Sequence, residues 1–362
     1  MKMGTSSRSV IADRRRDLGH RFAVRAAIRA PSVHNTQPWY FVSRNDGISL
    51  YADFSRNLPR TDPGGRELVI SCGAALFNLY LAMRHLGFAA DVRMLPDPHQ
   101  PALLAQVRWG RCRRPDQEEE LLFHAITQRH THCGAFAGRP LPPMLMAELA
   151  AAAHAEHACL AVIGSGEQRR LLAELIRGAE DAQCADPAAA DELARWATLA
   201  RDGRRDGVPV HGRQLQAVAF ADRGFIFEDG RAPVADPALQ LPAHSFGTAV
   251  LLTTRGDRRL DWLLAGRAVQ RLLLHAAASD VSAAFHTQPL ELPGPRGRIQ
   301  AEIADGASPQ LLLRVGYATH TRVMPRRSVA DVLVARGPRL RMVGTAVQPG
   351  PPVGALPRRL VS

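Results

Sequence analysis

The chain has 362 residues, of which 46% are hydrophobic, enough for one large core or two medium ones, since single domains usually hold about 100–200 residues. The formal net charge is +12, but it is arginine spread along the chain with no basic block interleaved with aromatics, a pattern that does not point to nucleic acid. Lys2 is the only lysine, which excludes pyridoxal-phosphate Schiff bases and phosphate-loop nucleotidases and leaves any phosphate to arginine, hydroxyl and backbone N–H donors.

After a leader over residues 1–17, the apolar positions Phe22, Val24, Ala27 and Ile28 recur at helical spacing from Leu18 to Ala30, and Pro31 stops the helix. The loop Ser32–Pro38 leads into two alternating runs, Trp39–Ser43 and Ile48–Tyr51, joined at Asn45-Asp46-Gly47, a hairpin signal. Gly65–Gly87, with Leu68, Cys72, Ala75, Leu76, Leu79, Met83 and Leu86 on one stripe, predicts a long core helix closed by glycine, and Leu103–Trp109 a strand.

These elements form a first lobe over residues 18–115. A polar break at Cys112–Glu119 opens a second series over residues 116–184: helix Pro142–His154, strand Ala158–Ile163 and helix Glu167–Glu180. Residues 185–244 are rich in Arg, Asp, Gly and Pro, with Asp206-Gly207-Val208-Pro209 among the turn signals, and predict a lid or insertion. Order returns over residues 245–335 with strand Thr248–Thr253, helix Asp261–Ala278 and strand Gln310–Tyr317. A tail of low apolar content covers residues 336–362. Strand, long helix and strand thus occur twice. The expected fold class is α+β, with two pseudo-equivalent lobes whose mixed or antiparallel sheets are flanked by long core helices.

No apolar stretch is expected to approach the roughly 20 residues of a membrane span. Met1–Arg16 lacks the apolar core of a secretory signal. The five cysteines, Cys72, Cys112, Cys133, Cys159 and Cys184, are odd in number and never spaced C-x-x-C, which fits a reducing compartment. The expectation is a cytoplasmic protein with no membrane partner.

The segment Arg29-Ala-Pro-Ser-Val-His-Asn-Thr-Gln-Pro-Trp39 carries most of the functional information. Pro31 and Pro38 fix its ends, while Ser32, His34, Asn35, Thr36 and Gln37 place donors and acceptors between a helix and a strand, a loop suited to the edge of a planar heterocycle. Read plainly, the same residues cap backbone groups in a helix-to-strand turn. Ala30-Pro-Ser-x-x-Asn-x-Gln-Pro-Trp39 resembles the signature of the nitroreductase family. With Asp62-Pro63, Glu67–Ala75, Asp206–Pro209 and Pro325–Arg327, the chain resembles the Acg-type branch, in which two lobes are fused in one polypeptide, over about residues 18–335.

The resemblance implies a nitroreductase-like fold and an FMN site. In it Pro31, Ser32, His34, Asn35 and Gln37 line the flavin, Arg129, His130 and Thr131 meet its phosphate, and Arg326 and Arg327 complete the pocket. Guanidinium forks suit that task because they bind phosphate in bidentate fashion and stay charged. Cys133 departs from the pattern, standing where relatives carry a cation. Gln288 and Pro289 resemble the stretch that approaches the reactive edge of the flavin, and alternatively begin an ordinary turn before Pro293. His130, His132 and Cys133 lack a second ligand cluster, so no metal site is expected.

By the same resemblance, NAD(P)H is a transient hydride donor and a nitroaromatic or quinone the small-molecule electron acceptor, with ping-pong kinetics and no side chain acting as acid or base. A rival reading is a flavin-sequestering or storage protein whose lid, with Trp196, Arg204, Arg205, Phe220, Phe225 and Phe227, blocks turnover. A third, prompted by Cys133, is a protein that has lost its flavin. Fused lobes imply a monomer acting as an intramolecular pseudo-dimer.

Overall fold

Helix α1 spans residues 17–27, and the chain turns at residues 28–30 before Pro31. Strands β1 (Trp39–Arg44) and β2 (Gly47–Ala52) form the expected hairpin, with Arg44 opposite Gly47. A side chain at Gly47 would run into the Val107 backbone, so the tight turn and the close strand approach both need glycine there. Helix α2 (Arg66–His85) follows, buried along almost its whole length, and Gly87 ends it at φ +83°. The chain passes directly into β3 (Phe88–Met94) and returns as β4 (Leu103–Cys112). The structure, a computed structural model, describes residues 17–132, 136–198, 203–209, 247–318 and 323–334. Residues 1–16 of the predicted leader, the tail, Cys133, Phe220, Phe225 and Phe227 lie outside those residues.

The polar stretch Cys112–Glu119, read as a break, is the end of β4 and the start of α3 (Gln117–Gln128). Asp116 and Glu119 form a reciprocal capping box at that start. Helix α4 (Pro143–His154), strand β5 (Cys159–Val162) and helix α5 (Gly166–Ala185) come next. A short helix, α6 (Pro187–Trp196), then enters the segment expected as a lid, and β6 (Ala197–Thr198) pairs in parallel with β7 (Val208–Pro209). The second long series is β8 (Thr248–Thr254), α7 (Arg259–Ala278) and β9 (Ser282–Phe285). It continues through the single turn α8 (Gln288–Glu291), α9 (Pro293–Glu302) and β10 (Ser308–Gly316). Helix α10 (Val329–Val332) and strand β11 (Leu333–Val334) end the described chain.

Two larger sheets result, in the orders β11-β1-β2-β4-β3 and β5-β8-β10-β9. All larger-sheet pairs are antiparallel except β1 with β11. Set side by side, β1, β2, β4 and β3 match β5, β8, β10 and β9 in position, and α2 matches α7. The two matched helices, 20 residues each, cross at Gly73 and Gly266, which occupy the same place along each helix. A side chain on Gly73 would strike the carbonyl of Leu263, and one on Gly266 the carbonyl of Ile70. The same sequence spacing separates Ile70 from Leu263 and Gly73 from Gly266.

One core packs the first sheet against α1 and α2 and includes Trp39, Phe41, Phe77 and Leu104. A second fills the space between α4, α7 and the second sheet with Leu149, Val250, Leu272 and Leu313. A third lies on that sheet's other face under α5, α8 and α9, with Leu172, Leu251, Leu290 and Ile299. Each wholly buried leucine contributes roughly 2 kcal/mol of apolar transfer. The sequence reading allowed no stretch near the length of a membrane span, yet Arg66–His85 reaches it by length and composition. Its place in the fold explains why, because 89% of its most apolar window is buried inside the protein.

Candidate functional site

The loop between α1 and β1 is held in a conformation that ordinary turns avoid. His34, Asn35 and Gln37 have φ of 44°, 53° and 50°, a left-handed backbone that costs L residues about 1–2 kcal/mol each. Local bonds hold it: the Gln37 N–H donates to Ser32 Oγ at 2.9 Å, and the Val33 N–H to Ser71 Oγ on α2 at 3.4 Å. The carbonyl of Pro38 accepts from Cys72 Sγ at 3.2 Å, and that of Thr36 accepts from Arg56 Nε at 2.6 Å.

The side-chain amides of the loop are engaged within the protein. Asn35 Nδ2 donates to the carbonyls of Gly207 (2.9 Å) and Pro325 (3.1 Å), while its Oδ1 accepts from Arg326 Nη1 at 2.9 Å. Gln37 Nε2 donates to the carbonyl of Arg205 at 2.8 Å, and its Oε1 accepts the Arg327 N–H at 2.8 Å. Arg327 Nη1 also reaches the carbonyl of Gln37 at 3.2 Å. Asn35 and Gln37 therefore fasten two distant segments, 203–209 and 325–327, onto one loop.

Residues 203–209 form a strap over that loop. The Gly207 N–H donates to the Asn35 carbonyl at 3.2 Å, answering the Asn35 side chain. Asp206 is clasped by Arg56, and by Arg204 at 2.9 Å; both guanidiniums lie over the Trp196 ring, 5.3 and 5.7 Å from its centre. Helix α6 is anchored by Glu192, whose buried carboxylate accepts the N–H groups of Arg60 and Thr61 at 3.0 Å each.

Beside the loop lies a pocket partly open to solvent, lined by Arg29, Ile126, Arg129, His130, Thr131, Val323, Met324 and Arg326. Arg129 is buried, with Nη2 on the carbonyl of Arg29 at 3.1 Å and Nη1 on Thr131 Oγ1 at 3.4 Å. The Nε atoms of Arg129 and Arg326 are buried with no hydrogen-bond partner among the described residues. Burial, then Arg326 and Arg29, push the Arg129 guanidinium down to about 9; burial, then Arg29, push Arg326 down to about 10. Burial and the guanidiniums of Arg129, Arg29 and Arg326 likewise hold His130 below its usual range. Three cations crowd together with no carboxylate in the lining among the described residues and two buried donors to spare, an arrangement that can accept an oxyanion such as a phosphate.

Of the residues singled out from sequence, Arg129, His130, Thr131 and Arg326 share this pocket. Asn35 joins it through Arg326, and Gln37 meets Arg327 beside it. Pro31, Ser32 and His34 lie in the same loop. Gln288 and Pro289 are buried in α8, after β9, whose Ala283 bridges Thr131. The Gln288 amide has no hydrogen-bond partner among the described residues, and neighbouring Leu290 accepts from Arg66 Nη2 on α2 at 3.4 Å.

Arg29, Arg56 and Asp206 received no role from the sequence. Arg29 opens the loop motif and could have been noticed by position, whereas Arg56 and Asp206 meet only in three dimensions.

No family model matches the chain. A Mycobacterium tuberculosis protein named "Putative NAD(P)H nitroreductase" is 33% identical over 312 residues, covering 85% of this chain and 88% of that one. Another from the same species, "Putative NAD(P)H nitroreductase acg", is 29% identical over 320 residues, covering 87% and 95%. Among solved structures, the FMN-dependent nitroreductase NfnB from Mycobacterium smegmatis, in complex with NADPH, covers 59% of this chain and 96% of its own at 15% identity and a TM-score of 0.35. A nitroreductase with bound FMN from Bacteroides fragilis has the same TM-score at 10% identity, covering 57% and 92%. The first relative's identity along most of both chains decides the matter: this chain belongs to the nitroreductase family.

Proposed function

We propose that this protein is an FMN-dependent NAD(P)H oxidoreductase whose phosphate site is the pocket of Arg29, Arg129, Thr131 and Arg326. The observation that carries the reading is that pocket: clustered guanidiniums, no carboxylate in the lining and two buried donors without partners. FMN bound there would supply hydride chemistry, taking a hydride from NAD(P)H and passing electrons to a small acceptor such as a nitroaromatic or quinone in ping-pong order.

The chain's own residues bind and position. Arg129 and Arg326 hold the phosphate monoester, and the Thr131 hydroxyl adds a neutral donor. Asn35 fixes Arg326 through its Oδ1, and Gln37 fixes the backbone of Arg327, so both amides act on the pocket from behind. Ser32 and His34 lie half-buried in the same loop, and Ser32 Oγ braces it by accepting the Gln37 N–H. No side chain is needed as acid or base. Because both matched sheets lie within one chain, a single chain suffices for binding, and light scattering of flavin-loaded protein should report a monomer.

The test is a pair of titrations followed by flavin fluorescence. FMN should bind at least tenfold more tightly than riboflavin, and Arg129→Ala should remove most of that preference while leaving riboflavin unchanged. Equal affinity for the two flavins in the unaltered protein rules the phosphate assignment out.

A second reading, flavin sequestration, is favoured by one specific observation: the strap 203–209 is bonded to the loop. Under sequestration, flavin-loaded protein oxidises NAD(P)H slowly, and loosening the strap accelerates it. Rapid turnover with the strap intact excludes that reading.

A further inference from the structure

The groups with polar hydrogens that line the pocket are three arginines, one histidine and the Thr131 hydroxyl. His130 directly follows Arg129 where α3 ends, is half-buried, and lines the pocket with Arg29, Arg129, Thr131 and Arg326. Among the described residues every charged group facing it is positive: Arg29 from the turn after α1, Arg129 from its own segment, and Arg326 from the segment before α10. The other lining groups, Ile126 of α3, Thr131, Val323 and Met324, are uncharged, and no aspartate or glutamate is among them.

An imidazole in that setting is neutral while the guanidiniums are uncompensated. A phosphate monoester reverses the local field, because it carries close to two negative charges above its second pKa of about 6. Arginine cannot respond, since it stays charged throughout the physiological range, whereas histidine can.

We propose that His130 is a proton-coupled phosphate ligand, neutral in the pocket alone and protonated when a phosphate monoester dianion enters, so that preference for the phosphorylated flavin falls as pH rises. The step is a simple balance: one proton is taken from solvent by the imidazole nitrogen as the dianion binds, and the same proton is released when it leaves. This inference rests on the FMN reading given above. It adds a consequence that reading lacks, because a pocket of arginines alone, the lowest of them pushed down only to about 9, would bind the dianion equally well from pH 7 to pH 8.

The sign follows from linkage. Binding raises the pKa of His130, so affinity is greatest at low pH and is lost as pH rises through the pKa of the bound state. One coupled proton sets a ceiling of about tenfold in affinity per pH unit. Measurements belong above pH 7, where the monoester is already a dianion and cannot itself contribute a proton step.

The experiment determines dissociation constants for FMN and riboflavin from pH 7.0 to 8.0, below the value to which Arg129 is pushed, in the unaltered protein, His130→Gln and His130→Arg. Calorimetry in buffers of different ionisation enthalpy counts the protons taken up. In the unaltered protein, FMN binding should weaken by roughly tenfold across the range with net proton uptake on binding, while riboflavin binding stays flat. His130→Gln should bind riboflavin normally and FMN weakly at all pH values. His130→Arg should bind FMN tightly at all of them, and neither variant should take up a proton.

A flat FMN profile with FMN still strongly preferred would overturn the proton coupling and leave the phosphate reading standing. So would a slope that persists in His130→Gln. No preference for FMN at any pH would overturn the phosphate reading and this inference together.

Discussion

Gly207→Ala should loosen the strap without unfolding the protein. Gly207 sits at φ +75°, and a Cβ there would meet the Trp196 carbonyl and Thr198 Cγ2 at 2.5 and 2.7 Å. The left-handed backbone costs alanine about 1–2 kcal/mol, and relieving two contacts that close adds roughly 1–3 kcal/mol. On the other side stand three hydrogen bonds to the loop, the Asn35 side chain to the Gly207 carbonyl, the Gly207 N–H to the Asn35 carbonyl and Gln37 to the Arg205 carbonyl. They contribute about 1 kcal/mol each, and the half-buried Arg56–Asp206 pair adds roughly 1 kcal/mol. A penalty of about 2–5 kcal/mol against a hold of about 4 kcal/mol removes most of the strap's stability.

Hydrogen exchange read by mass spectrometry on peptides covering 203–209 should therefore accelerate by roughly a hundredfold. Peptides from α2 and α7 should keep their protection, because none of the three apolar cores includes a strap residue. The reasoning fails if exchange in 203–209 is unchanged. It fails equally if α2 and α7 lose protection in parallel, since the strap would then be part of the global cooperative unit.

Other expectations are independent of the strap. Gly73→Ala should lower the melting temperature by about 10 °C or more, or prevent folding, since it forces α2 and α7 apart; a shift below about 3 °C would show that the crossing yields easily. Glu119, held down to about 2 by Arg84, the Asp116 N–H and Tyr80 against the opposing effect of burial, contributes stability above the usual carboxylate range. That stability is lost as pH falls from about 4.5 toward 2, so Glu119→Gln should flatten the acid limb of a denaturation series by roughly 2 kcal/mol after allowing for partial exposure. Cys133→Arg, at a position outside the described residues, should tighten FMN about tenfold and leave riboflavin unchanged; equal effects on both flavins would show that Cys133 does not stand at the phosphate.

The parts of the fold legible in the sequence were those with strong periodicity or turn chemistry. The Asp46-Gly47 hairpin, the long helices Arg66–His85 and Arg259–Ala278, and the strand over Ser308–Gly316 all announce themselves through buried stripes. Helix α3 was hidden because its first turn, Gln117-Glu118-Glu119-Glu120, is acidic, as a helix N-terminus favours, and reads as a polar break. Strand β3 was hidden because it begins one residue after Gly87 and its burial alternates only weakly. Strand β11 is two residues long and acquires its identity only by pairing with β1.

At the candidate site, the loop motif located Asn35 and Gln37, but their partners lie more than a hundred residues away in 203–209 and 325–327. No local pattern encodes such a meeting. Arg29 was in plain sight and lacked only a reason to be chosen. That reason is the company of Arg129 and Arg326.

The near-repetition of the two sheets bears on how this chain can change. When two identical subunits form an enzyme, every substitution strikes both clefts at once, so a change that ruins one ruins the pair. Here each matched position is written separately. Asn78 on α2 bonds the carbonyl of Ala26 as the chain leaves α1, while Arg271, its counterpart on α7, reaches Glu156 as the chain leaves α4, and Arg267 holds the same carboxylate. One exit runs into the polar loop Ser32–Pro38; the other is stitched shut by ion pairs between helices. A fused chain is free to keep one half for ligands and to spend the other on rigidity, a division of labour that no symmetric dimer of identical chains can inherit.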